Sequence, residues 1–197
     1  MNICQCFRYW VGAHGCQSSA ITISDNLMQS TKQDVDRIRN TIRFIISNLP
    51  TDKNFQLKYE ELKPVDQFML HELKNFMNTV SNLYEEFAYN RICLATQNFV
   101  ANELSAFYFT LVKDRLYCDA EDSSRRKSAL TTLLHLGRSL TKLLSPIMPV
   151  LAQEIGQHCP ILEIDLSQPL DIASSDGKLL KFLKSNTVWK HFLPLSK

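Results

Sequence analysis

A chain of 197 residues with 45% hydrophobic residues is long enough to bury the core of one ordinary domain, which excludes a wholly disordered chain. The formal net charge is only +2, so any affinity for nucleic acid must come from local clusters of cations. Charged residues interrupt the apolar runs before the roughly 18–20 residues that a bilayer-spanning helix needs, and we expect no membrane partner.

The first half of the chain has the pattern of two long amphipathic helices. Ser24 and Asp25 can begin the first one, whose apolar residues recur at steps of three and four until Pro50 ends it. The second begins near Pro64, a residue favoured in the first helical turn, and carries an apolar stripe as far as Phe87. No glycine lies between Gly15 and Gly137, which argues against a turn-rich β protein.

The second half continues in the same way. A helical stretch from about Asn90 to Tyr117 is predicted to break near residues 101–104, and the acidic residues 119–124 are predicted to form a loop. Ser123 or Ser124 then caps a helix that ends before Pro146, and Pro149 opens a short helix through His158. After Pro160 the pattern changes, because residues 161–166 alternate like a strand.

Helices of this length with short connections must bury their apolar stripes against one another. The predicted fold is therefore all-α, an antiparallel helical bundle followed by an irregular C-terminal tail. The last residues, 178–197, contain five lysines and no acidic residue. A lysine-rich segment with interspersed leucines can lie on an anionic membrane surface, but an ordinary surface helix or an unstructured end is the preferred interpretation.

Clustered cations are the best candidates for a binding surface. Basic side chains on adjoining helices can follow an RNA backbone, and a nearby aromatic ring can stack on a splayed base. The competing interpretation is internal pairing, because Asp114 and residues 119–122 offer carboxylates to the same cations. On a helix, Arg39 and Arg43 share a face, whereas Arg37 falls on the opposite flank. The candidates for RNA contact are Arg39, Arg43, Lys113, Arg115, Tyr117, Arg125, Arg126 and Lys127.

Several segments carry a resemblance to known proteins. In chain order they are Phe7–Val11 followed by Ile23–Asp25, Arg37–Phe44, Phe107–Asp119, and Ser145–Pro149 followed by Gln153–Ile155. With these segments the chain resembles the anticodon-binding domain of class I aminoacyl-tRNA synthetases, and among them isoleucyl-tRNA synthetase. The resemblance implies that residues 1–23 are a remnant of the end of a catalytic domain, that residues 24–160 form the helical anticodon-binding domain, and that residues 161–197 are a divergent tail. It also implies a late-starting, truncated or alternatively spliced product.

Catalysis is not expected from this chain alone. The family's catalytic signatures are a His-Ile-Gly-His turn and a Lys-Met-Ser-Lys-Ser loop, and neither string occurs. His135-Leu136-Gly137-Arg138 is the nearest string, and its leucine-rich context predicts a helix interior. The full-length family uses ATP and magnesium, but we expect no cofactor in this chain. Cys4 and Cys6, with His14 and Cys16, carry side chains of the kind that bind zinc. Their Cys-x-Cys spacing is not the usual zinc-knuckle spacing, so no metal site is predicted.

The resemblance implies isoleucine-accepting tRNA as the partner of a monomeric module. The sequence of residues 62–67 resembles bacterial and organellar members of the family more than eukaryotic cytosolic ones. This resemblance implies a mitochondrial matrix location, or a cytoplasmic one if the product lacks a transit peptide. The alternative function is a non-catalytic helical fragment that binds another protein, such as the full-length synthetase. In that case Tyr9 and Trp10 are either buried locally or exposed as an adhesive patch.

Overall fold

The fold was obtained as a computed structural model, which describes residues 3–15, 24–51 and 54–162. Within these ranges every regular element is a helix, as the sequence predicts. The helices are α1 Ile3–His14, α2 Asp25–Asn48, α3 Pro64–Glu85, α4 Tyr89–Asn98, α5 Phe109–Tyr117, α6 Ser124–Leu144 and α7 Pro149–His158. A wider π-helical segment, Phe99–Tyr108, joins α4 to α5, and 3-10 turns occupy Tyr59–Glu61 and Pro160–Leu162.

Helix α2 begins and ends where the sequence predicts. The Ser24 hydroxyl accepts a hydrogen bond from the Leu27 N–H at 3.3 Å, which satisfies one of the open donors of the first turn. Val35, Ile38, Ile42 and Ile45 are buried in the core. Leu49 leaves the helical conformation just before Pro50, since a residue that precedes proline disfavours the helical region.

Helix α3 begins with Pro64 in its first turn, as predicted, but it ends two residues before Phe87. Phe87 has a φ of 54°, in the left-handed region, and the Ala88 N–H donates to the Leu83 carbonyl oxygen. This closes the helix in the manner of a C-terminal cap that usually requires glycine. The Phe87 ring is exposed, so the position gains little from its side chain.

The predicted break near residues 101–104 coincides with an interruption of the α-helix, but the interruption is a change of winding and not a gap between two helices. The chain stays helical from Tyr89 to Tyr117 and changes only its winding over Phe99–Tyr108. Two ring contacts hold this stretch antiparallel to α3: Phe76 stacks on Phe99 with centroids 4.1 Å apart, and Phe68 meets Phe107 edge-on at 6.0 Å. A wider turn absorbs the irregular apolar spacing that a regular helix could not place against its neighbours.

Helix α6 is the centre of the bundle. Its buried side chains lie on all sides from Ser128 to Leu144, and it packs against α2, α3, α5 and α7. It runs parallel to α3, as expected when successive helices alternate in direction. Ser128 near the start of α6 donates to Asp66 near the start of α3, and the Tyr84 hydroxyl near the end of α3 donates to the Leu143 carbonyl oxygen near the end of α6 at 2.7 Å. A Cβ at Gly137 would lie only 3.0 Å from side-chain carbons of Ile45 and Leu162, so this glycine permits close packing.

The last described turn differs from the sequence prediction. Pro160–Leu162 is a 3-10 turn instead of the start of a strand, and Arg138 holds it by donating to the carbonyl oxygens of Ile161 and Leu162. Both of these residues are buried against the bundle, and this burial outweighs their β-type alternation. Residues 163–166 of the predicted strand, and the rest of the tail, lie outside the described residues.

Helix α1 packs onto the bundle beside α2 and α4. Tyr9 and Trp10 are buried, and the Tyr9 hydroxyl donates to the Cys93 carbonyl oxygen at 3.4 Å while it accepts from the Gln97 amide at 3.0 Å. Burial raises the pKa of the Tyr9 phenol well above its ordinary value. Phe7 and Val11 remain exposed on the outer face. Of the two predicted outcomes, local burial of Tyr9 and Trp10 is therefore the one observed.

The substitution Phe87→Gly is expected to stabilise the fold. A side chain in the left-handed conformation costs about 1–2 kcal/mol, and glycine removes that cost while the exposed ring loses little packing. We expect the free energy of unfolding in urea to rise by about 1 kcal/mol. Phe87→Ala is the control, because it shortens the side chain but keeps the strain. A rise of the same size in the alanine variant would contradict the backbone explanation.

Candidate nucleic-acid interface

An open groove of about 510 Å³ runs between α2 and the stretch that includes the π-segment and α5. Exposed polar side chains of α2 form one wall, and Ser105 and Lys113 form part of the other. Phe44 and Phe109 meet at the base, with ring centroids 4.3 Å apart. The residues of α2 that line the groove are Gln33, Asp36, Arg37, Asn40, Thr41 and Phe44.

The spacing of α2 explains the polar wall. Gln33, Arg37, Asn40 and Phe44 follow at steps of three and four, so they form one stripe beside the buried stripe of Val35, Ile38, Ile42 and Ile45. Two amides, a carboxylate and a guanidinium thus face the same space as the Lys113 ammonium. This is a set of donors and acceptors that can read the edge of an unpaired base, with cations that can contact phosphate.

Arg37 is only loosely held within the protein. Its guanidinium lies 4.0 Å from the Asp34 carboxylate, and both side chains are partly exposed. Partial burial raises the pKa of the Asp34 carboxyl above its usual value, and the positive charge of Arg37 opposes this rise. A pair at this distance and exposure contributes little stability, so Arg37 can turn towards a ligand at small cost.

Three of the sequence candidates lie in or near this surface. Lys113 lines the groove and is exposed, and Arg43 is exposed on α2, one turn beyond Asn40. Tyr117, the last residue of α5, exposes 63% of its surface, which leaves its ring accessible for stacking. The three residues thus project from the two helices that flank the groove.

Arg39 is engaged in a different contact. Its guanidinium forms a bidentate pair with Glu154 of α7, with nitrogen–oxygen distances of 2.9 and 3.2 Å, and also donates to the Gln5 amide oxygen of α1 at 2.9 Å. Arg39 and Arg43 do share a flank by spacing, yet the neighbour that covers position 39 is α7 together with α1. This arrangement joins three helices, so we assign Arg39 a structural role.

Arg115 is buried instead of exposed. It forms a bidentate pair with the fully buried Asp66 of α3, at 2.8 and 3.2 Å. Asp66 also accepts from the Tyr108 hydroxyl at 2.7 Å and from the Ser128 hydroxyl. Burial, and secondarily the Asp66 charge, raise the pKa of Tyr108 well above its ordinary value. The Arg115 guanidinium is therefore committed to the core, where it satisfies a charge that burial would otherwise penalise.

The three basic residues at the start of α6 pair with the preceding acidic loop. Arg125 lies 3.7 Å from the Asp119 carboxylate, and Lys127 lies 3.1 Å from that of Asp122. Arg126 donates to the Asp119 carbonyl oxygen at 3.3 Å. This is the internal pairing that the sequence offered as the competing interpretation. Arg125 remains well exposed, so of the three it is the one best able to exchange its partner for a phosphate.

The string His135-Leu136-Gly137-Arg138 lies in the interior of α6, as predicted, and packs against α2 and the last 3-10 turn. In the described part of the chain, no group of three or more His, Cys, Asp or Glu side chains is placed to hold a metal ion. Cys16, one of the residues weighed for zinc, lies outside that part. Among the described helices, none is both long and apolar enough to span a bilayer.

Sequence reasoning missed Gln33, Asp36, Arg37 and Asn40. It correctly placed Arg37 on the flank of α2 opposite to Arg39 and Arg43. It did not assign Arg37 a role in binding. The available signal was the stripe itself, since four polar residues at helical spacing lie next to a half-buried Phe44. An aromatic ring at the end of a polar stripe indicates that another helix packs at its edge.

Comparison with known proteins relates the chain to one family. The sequence profile described as "Anticodon-binding domain of tRNA ligase" matches residues 66–182. The match extends past residue 160, where we expected the helical domain to end. The domain boundaries given above stay a prediction. The mitochondrial isoleucine–tRNA ligase of Macaca fascicularis is 28% identical over 185 residues, or 93% of this chain and 18% of that relative. The isoleucine–tRNA ligase of Fervidobacterium nodosum is 37% identical over 155 residues, or 78% of this chain and 17% of that relative.

The mitochondrial isoleucine–tRNA ligase of Saccharomyces cerevisiae is 32% identical over 168 residues, or 85% of this chain and 17% of that relative. The chain thus spans less than a fifth of the length of these three relatives. Their similarity covers most of this chain.

Removal of the Asp66 charge is expected to destabilise the whole bundle. Asp66→Asn leaves the buried Arg115 guanidinium without its counter-charge, and breaking a buried pair from one side costs about 3–5 kcal/mol. Urea unfolding followed by circular dichroism measures this loss. Asp114→Asn, an exposed change on α5, is the control and should stay within about 0.5 kcal/mol of the parent. A loss below about 1 kcal/mol for Asp66→Asn would show that the buried pair is not the constraint we describe.

Proposed function

The chain belongs to the family of anticodon-binding domains of tRNA ligases, and from this premise we propose that it binds the anticodon stem-loop of a tRNA through the groove between α2 and α5. The observation that carries the proposal is the groove itself. Its floor is aromatic, and two amides, a carboxylate and two cations face the same exposed space. Proteins that recognise RNA by sequence use this combination on unpaired loop bases.

The size and chemistry of the groove suit a splayed nucleotide. A volume of about 510 Å³ lies within the range of roughly 300–1,000 Å³ found for small-ligand sites. Asn40 and Gln33 each offer a donor and an acceptor, and Asp36 accepts from an exocyclic amine. We assign Arg37 and Lys113, which line the groove, to the phosphates that flank such a base. The groove thus supplies the direct base contacts, and its rim supplies the electrostatic attraction.

Other predicted residues extend the contact surface. Arg43 and Tyr117 are exposed on the helices that border the groove, and we assign them phosphate contact and base stacking. Arg125, Arg126 and Lys127 form a second basic region at the start of α6, for which RNA must compete with Asp119 and Asp122. Arg39 and Arg115 are assigned to the folding of the domain, since both form bidentate pairs inside it.

The proposed substrate class follows from the relatives. Because the mitochondrial and bacterial relatives are isoleucine–tRNA ligases, we propose isoleucine-accepting tRNA as the ligand and the mitochondrial matrix as the compartment. We assign this chain tRNA recognition alone, as a monomer. Attachment of isoleucine to tRNA with ATP and magnesium is the work of the complete ligase, and no residue of this chain is assigned to that chemistry.

A second candidate function rests on the outer face of α1. Phe7 and Val11 follow at helical spacing and are exposed, with the Phe7 ring stacked on Trp10 at a centroid distance of 5.6 Å. An exposed apolar stripe of this kind is typical of a surface that another protein covers. We propose the full-length ligase as that protein. Binding there would be insensitive to salt, whereas phosphate contacts weaken steeply as salt rises.

Charge reversal at the groove is expected to weaken tRNA binding. We expect Arg37→Glu and Lys113→Glu each to raise the Kd for isoleucine-accepting tRNA by about tenfold, the size of losing about 1.4 kcal/mol. Each variant should also flatten the dependence of log Kd on log salt by about one phosphate contact. Arg91→Glu is the matched control, because Arg91 is an exposed cation on α4 away from the groove. Filter binding at two salt concentrations measures all three variants.

Anticodon specificity is tested with a second RNA. A tRNA of the same body with a changed anticodon should bind the parent chain more weakly, and Asn40→Ala should reduce the difference between the two RNAs. Equal affinity of the parent chain for both would contradict base reading in the groove. Equal effects of Arg37→Glu and Arg91→Glu would place the interface elsewhere.

A further inference from the structure

A second surface lies along the seam between α3 and the stretch from Phe99 to Tyr117, on the side away from the groove. Its central residues are apolar and unusually exposed: Val65 at 37%, Phe68 at 48%, Phe107 at 38% and Leu111 at 46%. Phe68 and Phe107 touch each other across the seam with centroids 6.0 Å apart. We call this surface the acidic seam, for the residues that border it.

The two ring contacts fix which residues face each other. Phe76 is opposite Phe99, and Phe68 is opposite Phe107. The same number of residues therefore separates the two contacts on each of the two helical stretches. The same antiparallel register places Glu72 opposite Glu103, halfway between the two ring contacts. Asp114 follows Leu111 by three residues on α5, and Glu61 lies in the 3-10 turn that precedes Val65 and the start of α3. Carboxylates therefore border both ends of the exposed apolar patch, as the facing Glu72 and Glu103 at one end and as Glu61 and Asp114 near the other.

This arrangement selects the chemistry of its occupant. Four carboxylates repel RNA phosphates, so the acidic seam and the RNA groove serve different ligands. An apolar strip between acidic pairs complements an amphipathic segment that carries leucines or phenylalanines between lysines. The distance from Val65 to Glu72 along α3 is about 10 Å at the helical rise of 1.5 Å per residue. A segment of about two helical turns matches that length.

The chain itself contains such a segment. Residues 178–184 read Lys-Leu-Leu-Lys-Phe-Leu-Lys, with Lys178, Lys181 and Lys184 around Leu179, Leu180, Phe182 and Leu183. We propose that Lys178–Lys184 of the same molecule docks on the acidic seam, its apolar residues on Phe68, Phe107 and Leu111 and its lysines beside the carboxylates. This interaction goes beyond RNA binding and does not depend on it.

The connecting chain is long enough. Leu162, the last described residue, packs against Gly137 of α6, and α6 contacts both α3 and α5. Residues 163–177 can span roughly 50 Å when extended, at 3.3–3.6 Å per residue. A path around one neighbouring helix, about 10–12 Å in diameter, needs less than that. An attached segment also has an effective concentration in the millimolar range, so a weak interface suffices.

Photo-crosslinking in the full chain tests the proposal. Phe182 is replaced by benzoyl-phenylalanine, the purified chain is irradiated, and the crosslinked peptides are identified by mass spectrometry. We expect crosslinks within one molecule to residues 63–74 and 103–114. Their yield should be independent of protein concentration and should fall by roughly fivefold in Glu72→Lys/Glu103→Lys, the size of losing two exposed ion pairs.

The control is a double charge reversal elsewhere on the surface. Glu85→Lys/Glu121→Lys changes the net charge equally but leaves the acidic seam intact, so the crosslink yield should not change. Circular dichroism establishes that both double variants remain folded, as expected for changes outside the buried core. Crosslinks that join two chains would assign the seam to a second copy and overturn the proposal. Crosslinks outside the two seam peptides, or a yield that both double variants lower equally, would also overturn it.

Discussion

The buried Asp66 carboxylate is the constraint on which the rest of the bundle depends. It is fully buried, and it is satisfied only when Tyr108, Arg115 and Ser128 reach it from the π-segment, α5 and α6. Apolar burial drives these helices together but is non-directional, so many registers would bury a similar area. A buried charge without partners costs several kcal/mol, and this penalty removes the other registers. The carboxylate thus fixes how α3, α5 and α6 align.

The π-segment follows from the same requirement. Tyr108 and Arg115 must both face Asp66, while Phe109 must turn towards Phe44 on α2 and Phe99 towards Phe76 on α3. A regular helix turns its faces at a constant rate, and ten residues of wider winding change that phase. The change brings Lys113 to the groove and Leu111 to the acidic seam. One irregular segment therefore sets both candidate surfaces.

The sequence predicted the helices but not which of them pack against one another. The apolar stripes, the capping serines Ser24 and Ser123 and the first-turn residue Pro64 predicted where α2, α3 and α6 begin, because these signals are local. Spacing on one helix indicates which residues share a face, yet it does not indicate what packs there. Arg115 therefore looked like a surface cation beside Asp114, although its partner lies on another helix, far away in sequence. The groove was missed because it exists only between two helices.

The distribution of charge distinguishes the two candidate surfaces. Helix α5 and the π-segment contribute to both: Lys113 faces the groove on one side, and Phe107 and Leu111 face the seam on the other. If the lysine-rich segment docks on the seam, its positive charge is drawn to the carboxylates and away from the RNA groove. Bound RNA and a docked segment would then not compete for the same residues. A chain with a net charge of only +2 can present both a cationic and an acidic surface because its charges are partitioned between helix faces.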